Sequence, residues 1–136
     1  MECAPILSTL AHPAALDQIE QTFADLWKSH THVPDHIRLQ LRIAIAEIVA
    51  NIVEHATRGL DRPVRLQMSA HVRTRQVHVQ FSDDGIPNPV HLSEVSMPAE
   101  LAERGRGIPL AKAVLDQLSY ERAGGRNRWT LDSRTF

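Results

Sequence analysis

The stretch that most limits how this chain can fold is residues 41–55, LRIAIAEIVANIVEH. Ten of its fifteen positions are apolar, so a helix built from it is hydrophobic on most of its circumference and needs covering layers. Glu47 and Asn51 break the pattern. Each costs free energy in an apolar setting unless it finds a partner. They stand one helical turn apart, on a stripe that continues through Glu54, His55 and Arg58. Either the pair is satisfied within the core, or it faces something that is not protein.

Around this helix the patterning predicts an alternation of elements. PILSTLA reads as a short first strand, and PAALDQIEQTFADLWKSH as an amphipathic helix with Pro13 in its first turn. Leu16, Ile19, Phe23, Leu26 and Trp27 recur at helical spacing and form its inner face. Pro34 opens the long helix, which runs to about Thr57, and Gly59 suits the stop. PVRLQMSAHVR and QVHVQFSD alternate as two antiparallel strands, with a turn near residues 73–75. Gly85, Pro87 and Pro89 then break the strand pattern. A loop reaches Arg106, with one helical turn at PAELAE, and a helix follows over about residues 108–117. LSYERA and NRWTLDS close the chain as a hairpin turning at Gly124 and Gly125. The order β-α-α-β-β-loop-α-β-β predicts an α+β two-layer α/β sandwich, a mixed and mostly antiparallel sheet with helices on one face. No linker or repeat divides it, so residues 1–136 are expected to form one domain.

Composition narrows the function. A chain of 136 residues with 43% hydrophobic residues can bury a core. Its net charge of -1 argues against nucleic-acid binding through bulk charge. Cys3 is the only cysteine, which leaves no internal disulfide and no cysteine-based zinc site. The eight histidines are scattered without zincin spacing, so no dedicated histidine metal site is expected. The N-terminus has no signal-peptide pattern, and no apolar run approaches the roughly 20 residues of a membrane span. A reduced, cytoplasmic location without membrane attachment is the expectation.

Three segments carry chemistry. On the long helix, an amide oxygen one turn from a carboxylate suits a hard cation such as Mg²⁺, which takes few protein ligands alongside phosphate oxygens. Glu47 could then take a proton from an attacking hydroxyl. In FSDDGIP, Asp83 ends a strand, where an acceptor-only group can read the exocyclic amine of adenine, and Gly85 allows close approach to a ligand. Asp-Gly segments are also ordinary turns. In ERGRGIPLAKAV, Gly105 and Gly107 precede a helix start that attracts anions, with Arg104 and Arg106 as phosphate donors. The combination supplies metal, base, adenine and phosphate sites without a Walker P-loop or the protein-kinase catalytic segment.

Taken together, EIVANIVEH, DDGIP and ERGRGIPLAKAVLDQLSY resemble the boxes of the Bergerat-fold (GHKL) ATP-binding superfamily. The resemblance is closest to its small bacterial branch of anti-sigma-factor serine/threonine kinases, and spans nearly the whole chain. It implies a Bergerat ATP-binding fold with ATP and Mg²⁺ as cofactors. It implies Glu47 as general base, Asn51 as Mg²⁺ ligand, and Asp83 with Gly85 at the adenine. It further implies Arg104, Gly105, Arg106 and Gly107 around the phosphates, and a supporting role for His55. The implied activity is transfer of the ATP γ-phosphate to a serine of an anti-anti-sigma (STAS) protein. The second partner would be a sigma factor or equivalent regulator, and a homodimer fits the same branch. Two features depart from the pattern. Pro87 stands where many members have glycine, and Arg126 and Asn127 stand where the family often has Gly-Thr beside the adenine. Asn127 could hold the same water as that threonine. These departures leave room for an alternative, a non-catalytic ATP-binding or nucleotide-free module that sequesters a partner. The lack of a phosphoaccepting helix pair before the domain points away from sensor histidine kinases.

Overall fold

The computed structural model describes residues 6–89, 92 and 107–136. Its elements are β1 (Leu7–Leu10), α1 (Ala15–Ser29), α2 (Asp35–His55), β2 (Arg65–Val72), β3 (Val77–Asp83), α3 (Gly107–Val114), β4 (Gln117–Ala123) and β5 (Arg126–Asp132). This is the expected order, and the strands form one five-stranded sheet in the order β1-β2-β3-β5-β4. All four pairings are antiparallel.

Period-two alternation sorts the sheet into a dry face and a wet one. Leu66 and Met68 of β2, Val77, Val79 and Phe81 of β3, and Trp129 and Leu131 of β5 are fully buried. Register stacks the dry face into cross-strand rows. One row runs Met68–Phe81–Trp129–Tyr120, with the Tyr120 and Trp129 rings 4.8 Å apart. The next row runs Leu66–Asp83–Asn127–Arg122. The apolar face therefore ends, one row beyond its aromatic residues, in a band of polar groups. The helices supply the other layer of the core. Ile37, Leu41, Ala44, Ile45, Ile48, Val49 and Ile52 of α2 are buried, as its near-continuous apolar run requires.

Several boundaries differ from the sequence expectation. Helix α1 begins at Ala15, two residues beyond Pro13. Its buried face is Ala15, Ile19 and Phe23, while Leu16, Leu26 and Trp27 pack only partly buried at the rim. The Trp27 ring lies under the Arg38 guanidinium at 5.3 Å. Helix α3 stops at Val114 rather than near Gln117, because the Asp116 N–H donates to the Asp132 carbonyl and Gln117 already pairs with Asp132 in β4–β5. Gly59, Gly124 and Gly125 have positive φ, as a helix stop and a tight hairpin require. The expected turn at PAELAE lies outside the described residues. No described helix is long and apolar enough to cross a membrane.

Candidate nucleotide site

The polar row at the end of the dry face is the first half of the site. Asp83 is 0% exposed and Asn127 1%. They face each other across β3 and β5, and the Asn127 Nδ2 donates to Asp83 Oδ1 at 2.8 Å. The Gly85 N–H donates to the same oxygen at 2.9 Å. Asp83 Oδ2 is buried with no hydrogen-bond partner among the described residues. An orphaned buried acceptor is costly on its own. It is the kind of atom that the amino group of a base would satisfy, so this end fits the expected adenine. Burial pushes the Asp83 carboxyl above its ordinary 3.8, against the opposing pull of Asn127, the Gly85 N–H and the Arg122 charge. Asp84 behaves oppositely. Burial tends to raise it, but the Arg65 N–H and the Arg62 guanidinium outweigh that and hold it low.

The raised Asp83 value gives a stability prediction. A folded-state pKa above the unfolded one means the native chain binds the proton first, so stability falls as pH rises. The window opens near the unfolded value of 3.8 and closes once pH has passed the raised native value. Asp83→Asn removes this titration. Urea unfolding of both proteins across that window should show the wild type losing stability relative to the variant as pH rises, and parallel curves would refute it.

Gly85 does allow a close approach, but the neighbour is protein. The Ile86 N–H donates to the Ala56 carbonyl at the end of α2 at 3.0 Å. A Cβ on Gly85 would lie 2.6 Å from the Ala56 Cβ and collide with its carbonyl oxygen. The glycine thus ties the loop after β3 to the end of α2, a packing requirement that the sequence did not announce.

The second half of the site lies along α2. Glu47 and Asn51 are each partly exposed, unlike the buried apolar residues around them. A Cβ on Gly107 would lie 2.7 Å from Glu47 Oε2. The carboxylate therefore rests against the first residue of α3, where helical N–H groups would meet phosphate. This fits a phosphate cradle with a base beside it. Asn51 Oδ1, the oxygen expected to take Mg²⁺, accepts a hydrogen bond from Asn88 Nδ2 at 2.5 Å. A cation would share that oxygen with Asn88, since an amide oxygen has a second lone pair. Among the described residues no three His, Cys, Asp or Glu side chains could together hold a metal. His55 lies 3.8 Å from Glu54 at the helix end. Arg104, Gly105 and Arg106 lie outside the described residues.

Three participants were not singled out from sequence chemistry. The Asn88 N–H donates to the Tyr120 hydroxyl at 2.8 Å, and that hydroxyl donates to Asn127 Oδ1. Arg122 donates to the Gly85 carbonyl at 2.6 Å and to Asn127 Oδ1 at 3.2 Å. A continuous run of hydrogen bonds thus joins Asn51 to Asp83 through Asn88, Tyr120 and Asn127. Alternation along β4 puts Tyr120 and Arg122 on one face, and Tyr120 also closes the segment ERGRGIPLAKAVLDQLSY that carries the family resemblance. A separate groove of about 360 Å³ between α1 and α2 is lined by Leu16, Phe23, Trp27 and Leu39 among others, and contains none of these groups.

Residues 9–132 match the family model of the histidine kinase-like ATPase domain. Among solved structures, the chain is similar to the histidine kinase domain of the Erythrobacter litoralis EL346 blue-light activated histidine kinase. The identity is 20%, the TM-score 0.56, and the match covers 74% of this chain and 46% of that one. At that identity the likeness speaks to fold, and this chain spans less than half the length of that protein domain. A comparison with curated protein sequences finds no match.

Proposed function

The chain belongs to the histidine kinase-like ATPase domain family, an ATP-binding kinase-type domain, and from that premise we propose that it is an ATP-dependent protein serine/threonine kinase of a partner-switching system. Its substrate in this reading is a serine of an anti-anti-sigma STAS protein. Its second partner is a sigma factor or equivalent regulator, and its location is cytoplasmic. The observation that carries the reading is the placement of the Glu47 carboxylate against Gly107 at the start of α3. In this reading Glu47 is a proton acceptor, and its position supports a role beside the backbone that would hold the terminal phosphate.

In this reading Asp83 Oδ2 accepts the adenine amine and the N-terminal turn of α3 orients the phosphates. Bound Mg²⁺ would supply charge neutralisation on the phosphate oxygens, with Asn51 Oδ1 as its protein ligand. The serine oxygen forms a bond to the γ-phosphorus as the bond to the bridging oxygen breaks. ADP leaves, and the hydroxyl proton passes to Glu47. Positioning and charge stabilisation provide most of the acceleration in such transfers. The test is incubation with γ-labelled ATP and a candidate STAS protein. Label on a partner serine supports the proposal, and ATP binding without label excludes it.

One observation favours the alternative, a partner-sequestering module that does no chemistry. Asn88 engages the oxygen that Mg²⁺ would need. Asn51→Ala separates the two readings. If Asn51 takes the metal, the variant loses about tenfold in ATP affinity at saturating Mg²⁺ and little without it. Equal wild-type and variant affinities across a Mg²⁺ titration would favour the sequestering module.

A further inference from the structure

We infer that Asn127 is the specificity-determining positioning residue of the base pocket: held by Tyr120 and Arg122, it pins Asp83 Oδ1 and so dedicates Oδ2 to a purine 6-amino group. The inference rests on the proposal that the chain binds ATP. It gives Asn127 a direct clamp on the acceptor.

The orientation of the Asn127 amide is set by its surroundings. Its oxygen receives the Tyr120 hydroxyl and the Arg122 guanidinium. Its nitrogen donates to Asp83 Oδ1 and to the Ile86 carbonyl, at 2.8 and 2.7 Å. Flipping the amide would turn its NH₂ toward the guanidinium and its oxygen toward a carboxylate and a carbonyl, leaving three of the four contacts mismatched, since only the Tyr120 hydroxyl could accept from it. With the amide fixed, Asp83 Oδ1 is committed to two N–H donors and Oδ2 is left with none among the described residues. A carboxylate held this way can accept from a 6-amino group and repels a 6-oxo group. A site built to meet one polar group discriminates strongly against the analogue lacking it.

Asn127 also favours the charged, acceptor-only state of Asp83, because its hydrogen bond opposes the effect of burial. The other charged groups acting on Asp83 are Arg122 from β4 and Asp84 from the adjoining position. Strand β2 sets Leu66 opposite, and α2 sets Ala56 behind Gly85, neither of which titrates. Without the amide, Asp83 takes up a proton at higher pH and can then donate to a 6-oxo oxygen.

The experiment compares binding of ATP and inosine triphosphate, which carries a 6-oxo group. The proteins are the wild type, Asn127→Leu and Tyr120→Phe, with folding checked by thermal melting. The wild type should prefer ATP by about tenfold or more. Asn127→Leu should lower that ratio about tenfold, mainly through weaker ATP binding, with the ratio dropping further as pH falls. Tyr120→Phe, which keeps the ring but frees the amide oxygen, should move it severalfold in the same direction. An unchanged ratio in folded variants, or equal losses for both nucleotides, would overturn the inference while leaving the ATP-binding proposal standing. No ATP binding by the wild type would overturn that proposal and this inference with it.

Discussion

Replacing Glu47 with glutamine leaves ATP affinity near the wild-type value and slows phosphate transfer to the partner serine by about 10²- to 10⁴-fold. The substitution keeps size and hydrogen-bonding reach, and removes only the ability to take a proton. In the proposed reading binding is spared because Glu47, on α2, rests against the start of α3, away from the Asp83 carboxylate that would read the base. Losing a negative charge beside phosphates would, if anything, favour the anion. The checks are calorimetric titration with ATP and single-turnover transfer to the labelled partner. A glutamine variant that transfers phosphate at the normal rate removes Glu47 from the base role, and loss of ATP binding with loss of transfer makes it a structural residue.

Gly85→Ala acts on the fold itself. The added methyl group meets the carbonyl and Cβ of Ala56, which closes α2 and cannot swing aside as a side-chain tip could. Overpacking of this kind typically costs about 1–3 kcal/mol, and more where backbone must move. For a chain of this size that is a drop of roughly 4–12 °C in melting temperature. Displacing the loop also withdraws the Gly85 N–H from Asp83 and the Gly85 carbonyl from Arg122. Nucleotide binding should therefore fall further than stability alone explains. The measurements are a melting curve and an ATP titration well below the melting temperature. A variant as stable as the wild type would show that the α2–loop junction is looser than its contacts imply.

Much of the architecture follows from local pattern. The 3.6-residue spacing in α1, the apolar run of α2 and the alternation in β2, β3 and β5 are each set by near neighbours in sequence. Gly124 and Gly125 mark their hairpin because few other residues accept positive φ cheaply. The stripe bearing Glu47 and Asn51 is legible for the same reason, since four residues make one turn. The similarity of the glycine-containing segments to an ATP-binding family is also readable from residues alone.

What local pattern leaves open is which distant groups meet. Alternation tells that Asp83 and Asn127 point inward, but only the β3–β5 register makes them partners across 44 positions of chain. Glu47 and Gly107 are brought together by the packing of α3 on α2, and no spacing rule links them. Asn88 reads as a loop residue between two prolines, yet it holds Asn51 and Tyr120 at once. Gly85 reads as a ligand-facing glycine, yet its missing side chain makes room for Ala56. Periodicity fixes a side chain's face and its neighbours within a turn or a pleat. Pairing across elements depends on sheet register, helix docking and loop path, which are properties of the whole folded chain.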